Sequence, residues 1–475
     1  MAEDSTALLK TNELDIWQDD RLNREEDGSF LIQYMLDRSA RAGEDSGLAI
    51  NLNAPWGFGK TFFLKRLQAD LQRAEHRVAM VDAWRDDHAE DPLFAVMSGV
   101  FAAFEEDKGA SKRIISELKN NAGKLTVRMA RGAITRVLEA VIGKKDAEGV
   151  IDDFGRIVAG AVDDVAGEYA EAALASFDKG RQAISDFRDG IAQLVGTLDK
   201  PPLFILIDEL DRCRPTYAVA LLERLKHMFD MPGVVFVVAT DTGQLVHTVK
   251  AVYGADFDAQ RYLMRFFDRA YQFGEPPLEE FVESVWKRIG LDDERFMTLA
   301  TNSNKQEIAT CARAMRLSLR DIEQCLELLY SVSLLLDERL RLPTIYAFVM
   351  CTAFHSYPED FSEMAEHGFL FRGNLKLADH LKAESIFCGW DHSDHSYHGR
   401  EVNEQLLEVV RRFADGLATP LSRTNEIGSS WAKEYYDHEF AVLHNNRYNS
   451  GSPPQSILNG LPDAIRRAAR MHEPG

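Results

Sequence analysis

Apolar residues follow two patterns along this chain. Short, nearly continuous runs occur at Leu48-Ala-Ile-Asn-Leu-Asn53, Arg77-Val-Ala-Met-Val-Asp82, Pro202-Leu-Phe-Ile-Leu-Ile207 and Val234-Val-Phe-Val-Val-Ala239. Such runs predict parallel strands buried on both faces. Between them the apolar positions recur at helical spacing: Phe30 to Leu36, then Leu64, Leu67 and Leu71, then Pro92 to Phe104, then Leu221, Leu222, Leu225 and Met228. Strand alternating with helix predicts an α/β core, a doubly wound parallel sheet with helices on both faces. Ligands of such sheets bind beyond the strand C-termini. The polar residues that end these runs, Asn53, Asp82, Asp208 and Thr240, are therefore the places to look for chemistry.

Residues 108–200 break the alternation. Ile151, Phe154, Val158, Val162 and Val165 form one helical stripe, and Ile184, Phe187, Ile191, Leu194 and Leu198 another. They predict an α-helical insertion that splits the core into an N-terminal part, 1–107, and a C-terminal part, 201–275. Beyond residue 276 helical patterns dominate, interrupted by a polar Gly/Ser/Pro stretch from Asn446 to Pro454. No run reaches the ~18 consecutive apolar residues of a membrane span.

Charge narrows the functional classes. The 475 residues carry a net charge of −21, which argues against nonspecific clinging to nucleic acid by the whole chain. One basic stretch stands apart: Lys119, Lys124, Arg128, Arg131 and Arg136 recur with no acid between Leu118 and Leu138. It can face an anionic membrane surface, nucleic acid or the acidic remainder of its own chain. Cysteines 213, 311, 325, 351 and 388 show no paired spacing and read as buried thiols of a reducing compartment. The N-terminus lacks a signal-type apolar region, so the expected location is cytoplasmic.

The strongest chemical signal is Asn53-Ala54-Pro55-Trp56-Gly57-Phe58-Gly59-Lys60-Thr61-Phe62, between the first strand and a helix. That is the context of a phosphate-binding loop. Backbone amides and the helix N-terminus face the phosphates, Lys60 adds a point charge, and Thr61 offers a hydroxyl to Mg²⁺. Ala54 stands where the usual pattern has its first Gly, which is tolerable if its φ stays negative. The second half of such a site is Asp208-Glu209 at the tip of the third run: Asp208 for Mg²⁺, Glu209 for the attacking water. Alternatively, these acids cap the helix that begins at Pro215. Thr240 or Asp241 ends the fourth run, where a polar group can report on the γ-phosphate, and Asp241 is equally a helix N-cap. Asp82 and Arg85 lie near the site if their strand neighbours the loop; otherwise Trp84 is core and Arg85 surface.

Together these residues resemble the KAP family of P-loop NTPases, relatives of the AAA+ and STAND groups. The resemblance rests on Pro55-Trp-Gly-Phe-Gly-Lys-Thr61, Asp82-Ala-Trp-Arg85, Ile207-Asp-Glu-Leu-Asp-Arg-Cys213 and Pro232-Gly-Val-Val-Phe-Val238. Tyr262-Leu-Met-Arg-Phe-Phe267, Pro276-Pro277 and Leu319-Arg320-Asp-Ile322 extend it, over roughly residues 20–335. It implies an additional-strand sheet, an insertion between the two nucleotide motifs and a helical lid at 276–345; from residue 336 onward the resemblance fades, and it is the helical patterning that predicts a helical region at 346–475. The resemblance also implies ATP and Mg²⁺ as cofactors, and an arginine finger at Arg265 or Arg269. Arg320 would be a second sensor. This chain departs from the family at Ala54, at Asp82 where Asn is usual, and at Glu209 where Asp is common.

The expected function is Mg-dependent ATP binding and hydrolysis driving a conformational or assembly switch in a homo-oligomer or with a partner protein. Absence of an Asn-Lys-x-Asp guanine-reading motif favours ATP over GTP. The resemblance further implies, in prokaryotes, a setting of mobile-element conflict or phage defence. Two alternatives stand beside it: a nucleotide-binding scaffold without turnover, and a nucleic-acid-stimulated ATPase using the basic stretch 119–136. Separately, Cys388, Asp391, His392, His395 and His398 could converge on zinc, although their spacing matches no standard motif and solvated loop histidines are the plainer reading.

Overall fold

The computed structural model of the protein describes residues 16–42, 47–89, 91–129, 185–367, 375–391, 400–417, 430–445 and 456–471. The chain divides into two compact units. The first takes Glu26–Ala54 and Lys60–Gln272; the second takes Trp17–Glu25, Pro55–Gly59 and Phe273–Gly475.

The first unit is built on five parallel strands: β1 (Leu48–Asn53), β2 (Val78–Asp82), β3 (Leu203–Asp208), β4 (Val234–Thr240) and β5 (Arg269–Gln272). Their order across the sheet is β2-β3-β4-β1-β5, so β4 lies between the two strands that carry the nucleotide motifs. Every residue of β3 and β4 is buried, as their unbroken apolar runs require. Alternate residues serve opposite faces. Leu203, Ile205, Ile207, Val234, Phe236 and Val238 share one core with α3 (Leu93–Ala103) and the helix Pro215–Lys226. On α2 (Lys60–Arg73), Phe63, Leu64, Leu67 and Leu71 are fully buried, and this helix packs along β2, β3 and β4. This is the doubly wound α/β fold expected of the sequence.

The described ends of the insertion belong to this same core. Ile115 and Leu118 of α4 (Ala110–Met129) and Phe187, Ile191 and Leu194 of the helix at 185–195 are all buried in it. The two helices cross closely: a Cβ at Gly190 would come within 2.5 Å of the Leu118 side chain. The stripe from Ile151 to Val165, Ile184, and the basic residues Arg131 and Arg136 lie outside the described residues.

The second unit is mainly helical. Its core joins the helices Leu278–Ile289, Asn304–Ala314, Leu319–Leu334 and Thr344–Ser356. Two of them start with capping boxes, Ser303 with Gln306 and Ser318 with Asp321, each satisfying amides that a helix start leaves open. This unit also holds an antiparallel hairpin, Ser385–Asp391 with Arg400–Gln405, in a region where only helix had been expected. Cys388 sits on its first strand, buried, its thiol pushed up to about 12 by burial and the nearby Glu404 carboxylate. Residues His392, His395 and His398 lie outside the described residues. Among the described residues no group of three or more His, Cys, Asp or Glu could hold a metal ion. No described helix is long and apolar enough to cross a membrane.

Candidate functional site

The site grows from the turn between β1 and α2. Ala54 continues the strand ladder, its amide donating to the Thr240 carbonyl at 3.1 Å. It is buried and absent from the non-glycine residues with positive φ, so the missing first Gly costs no backbone strain. Gly57 and Gly59 supply the left-handed conformations, with φ of 79° and 81°. Gly57 also leaves no room for a side chain, because a Cβ there would lie 2.8 Å from the Ser318 hydroxyl and 3.1 Å from the Arg320 Cβ. Pro55 and Trp56 are exposed, the latter by 46%, while Phe58 is half-buried.

Lys60 opens α2 and is buried. Its ammonium donates to the Ala54 carbonyl at 2.8 Å and lies 3.7 Å from the Asp211 carboxylate. Thr61 follows, its hydroxyl donating to Glu209 Oε1 at 3.3 Å. Phe62 is covered by the Arg66 guanidinium, 3.2 Å above its ring.

The acids arrive from the tip of β3. Asp208 is 3% exposed, and its Oδ1 accepts from the Glu209 amide at 2.9 Å. Burial holds its carboxyl above the ordinary range, against the opposing pulls of the Thr61 hydroxyl and Lys60. Glu209 is shifted the same way, again chiefly by burial, with the Arg212 charge opposing. Its backbone is left-handed, φ 60°, where it caps the one-turn 3₁₀ helix Leu210–Arg212. A non-glycine residue in that region carries a strain of about 1 kcal/mol. Thr61 and Asp208 are hard oxygen donors of the type that Mg²⁺ takes. A carboxylate destabilised by burial gains from a neighbouring cation, so this pair fits the metal.

The remaining expected site residues fall into separate places. Thr240 is fully buried, and its hydroxyl donates to Asn51 Oδ1 at 2.7 Å while Asn51 Nδ2 donates to Thr242. Asp241 caps the helix Thr242–Tyr253 by accepting from the Gln244 amide at 3.2 Å. Arg265 and Arg269 are both exposed, the first just after the helix Ala259–Leu263 and the second on β5. Arg320 is the second residue of the helix Leu319–Leu334, in the unit that also holds Gly57. Asp82 pairs in register with Asp208, and the Ala83 amide donates to the Asp208 carbonyl. Trp84 is 53% exposed rather than core.

Three polar residues enter the site without having been assigned a role from the sequence: Asn51, Asp211 and Arg212. Asn51 had a signal, being a polar residue within an apolar run. Asp211, 1% exposed at its side chain, and Arg212, which pairs with Glu209 at 2.5 Å, sit on the turn after β3. Nothing in their spacing marks Asp211 as the partner of a lysine so far back in the chain.

A family model described as the KAP family P-loop domain matches residues 31–333 of this chain. No curated protein matches it. Among solved structures, the chain is similar to C. elegans PCH-2, with 15% identity over 66% of each chain, just under two thirds of PCH-2, and a TM-score of 0.30. It is also similar to the Aeropyrum pernix ORC2 protein in its ADPNP-ADP complexes: 10% identity, 95% of this chain, 97% of that one, TM-score 0.33. The Thermotoga maritima RuvB Holliday junction branch migration motor is a third, at 12% identity, 72% and 79% coverage and a TM-score of 0.26.

Proposed function

The chain belongs to the KAP family of P-loop domains, and on that premise we propose that it binds Mg·ATP and hydrolyses it to drive a conformational or assembly switch. The observation that carries this reading is the meeting of the first turn of α2 with the tip of β3, where Thr61 and Glu209 lie 3.3 Å apart beside buried Lys60 and Asp208. In the proposed mechanism, the amide N–H groups of the loop at Trp56, Gly57, Phe58 and Gly59 and the N-terminus of α2 bind the phosphates, while Pro55, which has no N–H to give, fixes the backbone entering the loop. Lys60 exchanges its internal partners for phosphate oxygens. Thr61 and Asp208 would hold Mg²⁺, which would neutralise phosphate charge there. Glu209 accepts a hydrogen bond from water and orients it in line with the leaving group. Thr240, which ends β4, or Asp241, the cap of the helix that follows, would sense the γ-phosphate. Arg265 is assigned as the finger, and Arg320, beside Gly57, as a second sensor.

Nucleotide binding and phosphate release, measured with and without nucleic acid, test this reading. Lys60→Ala should lose ATP binding outright. Tight binding without phosphate release would instead identify a scaffold, and turnover that requires DNA or RNA and collapses with salt would identify a nucleic-acid-stimulated ATPase. An assembly switch predicts an ATP-dependent change of mass in solution. A setting in phage defence predicts that a bacterial host loses protection when Lys60→Ala replaces the native chain.

A further inference from the structure

Glu209 must offer a carboxylate lone pair to water if it is to orient the nucleophile, and both of its oxygens are engaged. Oε1 accepts from the Thr61 hydroxyl at 3.3 Å and Oε2 pairs with Arg212 Nε at 2.5 Å. The second contact follows from local geometry: residues i and i+3 eclipse on a 3₁₀ turn, so Arg212 falls back over Glu209. The same turn places Asp211 3.7 Å from Lys60. Leu210–Arg212 thus supplies a counter-ion to both groups on which hydrolysis is proposed to depend.

We propose that Arg212 is an inhibitory clamp on Glu209, whose release limits turnover; this rests on Glu209 being the residue that orients water. The two halves of the pair differ in freedom. The Glu209 side chain is 19% exposed on a strained left-handed backbone tied to Asp208, whereas the Arg212 side chain is 38% exposed at the protein surface. In this same arrangement the exposed ring of Trp84 lies 5.8 Å from the guanidinium and flanks the cation at its exposed edge. The pair therefore opens from the arginine side, and what opens it acts at the exposed Trp84–Arg212 edge.

The test uses the purified full chain with Mg²⁺, comparing steady-state phosphate release with the affinity for ADP–aluminium fluoride and for ADP alone. Arg212→Ala and Arg212→Met should raise kcat on the order of fivefold, the scale of one partly solvated charge-assisted pair, with KM little changed. They should tighten binding of the transition-state analogue by a similar factor and leave ADP binding alone, since only the transition state uses the freed carboxylate. Arg212→Lys, which keeps the charge but not the fork, should fall between. Turnover appearing only in the Arg212 variants would support both clamp and hydrolysis. Turnover that needs Glu209 but does not rise in Arg212→Ala overturns the clamp alone. Turnover that survives Glu209→Gln overturns the role given to Glu209 and, with it, the clamp; no turnover in the wild type or any Arg212 variant overturns the hydrolytic reading and the clamp together.

Discussion

At the scale of single residues, the site is a set of charges that satisfy one another: Lys60 with Ala54 and Asp211, Glu209 with Thr61 and Arg212. Beside it, Thr240 and Asn51 bind each other in a fully buried position of the sheet. Thr240→Val removes the donor and leaves the Asn51 oxygen unmet, so urea unfolding should show a loss of about 1–3 kcal/mol. That Lys60 and Thr61 would meet Asp208 and Glu209 was legible in the sequence, because the ends of parallel strands and the starts of the helices that follow them converge at one edge of the sheet. Asp211 and Arg212 were not, because a counter-ion is chosen by distance in the fold and by burial, and neither has a sequence period. Ala54 shows the converse: the apparent defect in the loop disappears once its negative φ and its bond to Thr240 are seen.

At the scale of elements, the parallel strands were readable because burial on both faces leaves an unbroken apolar run. The hairpin Ser385–Asp391 with Arg400–Gln405 was not. Its register shifts between Phe387 and Gly389, and Gly389 takes φ 136°, so a bulge interrupts the alternation that would have announced a strand. The helix Leu319–Leu334 depends on its first turn. Ser318→Ala should cost about 1 kcal/mol, read from thermal or urea unfolding, by removing the cap that satisfies the Asp321 amide. Asp321 itself is held down to about 2, first by the His355 hydrogen bond and then by Ser318. A depressed carboxylate contributes stability above its ordinary value of 3.8 that is lost as pH falls through about 2. Asp321→Asn should therefore be destabilised at neutral pH and converge on the wild type in strong acid, a comparison that pH-dependent unfolding makes directly.

At the scale of the whole molecule, residues 108–200 were expected as a helical insertion into the nucleotide core, and the described ends of that stretch are buried in the core of the first unit. Helical periodicity reveals an apolar face but not which core receives it. In the second unit Glu307 is fully buried and accepts from the Leu299 amide at 2.5 Å. Burial pushes its carboxyl up to about 8. Its neutral form is the one the fold accommodates, so stability is full below the ordinary value of 4.5 and is lost as pH rises through about 8. Glu307→Gln should flatten that decline and gain roughly 1–3 kcal/mol above pH 8 in urea unfolding followed across pH. The central claim concerns the first unit: β3 and the start of α2 form one hydrolytic site. Its most direct test is phosphate release from ATP by the wild type and by Glu209→Gln, with nucleotide binding followed on the same samples. The account predicts equal binding and a loss of turnover of at least about a hundredfold in the variant. An undiminished rate in Glu209→Gln would contradict it.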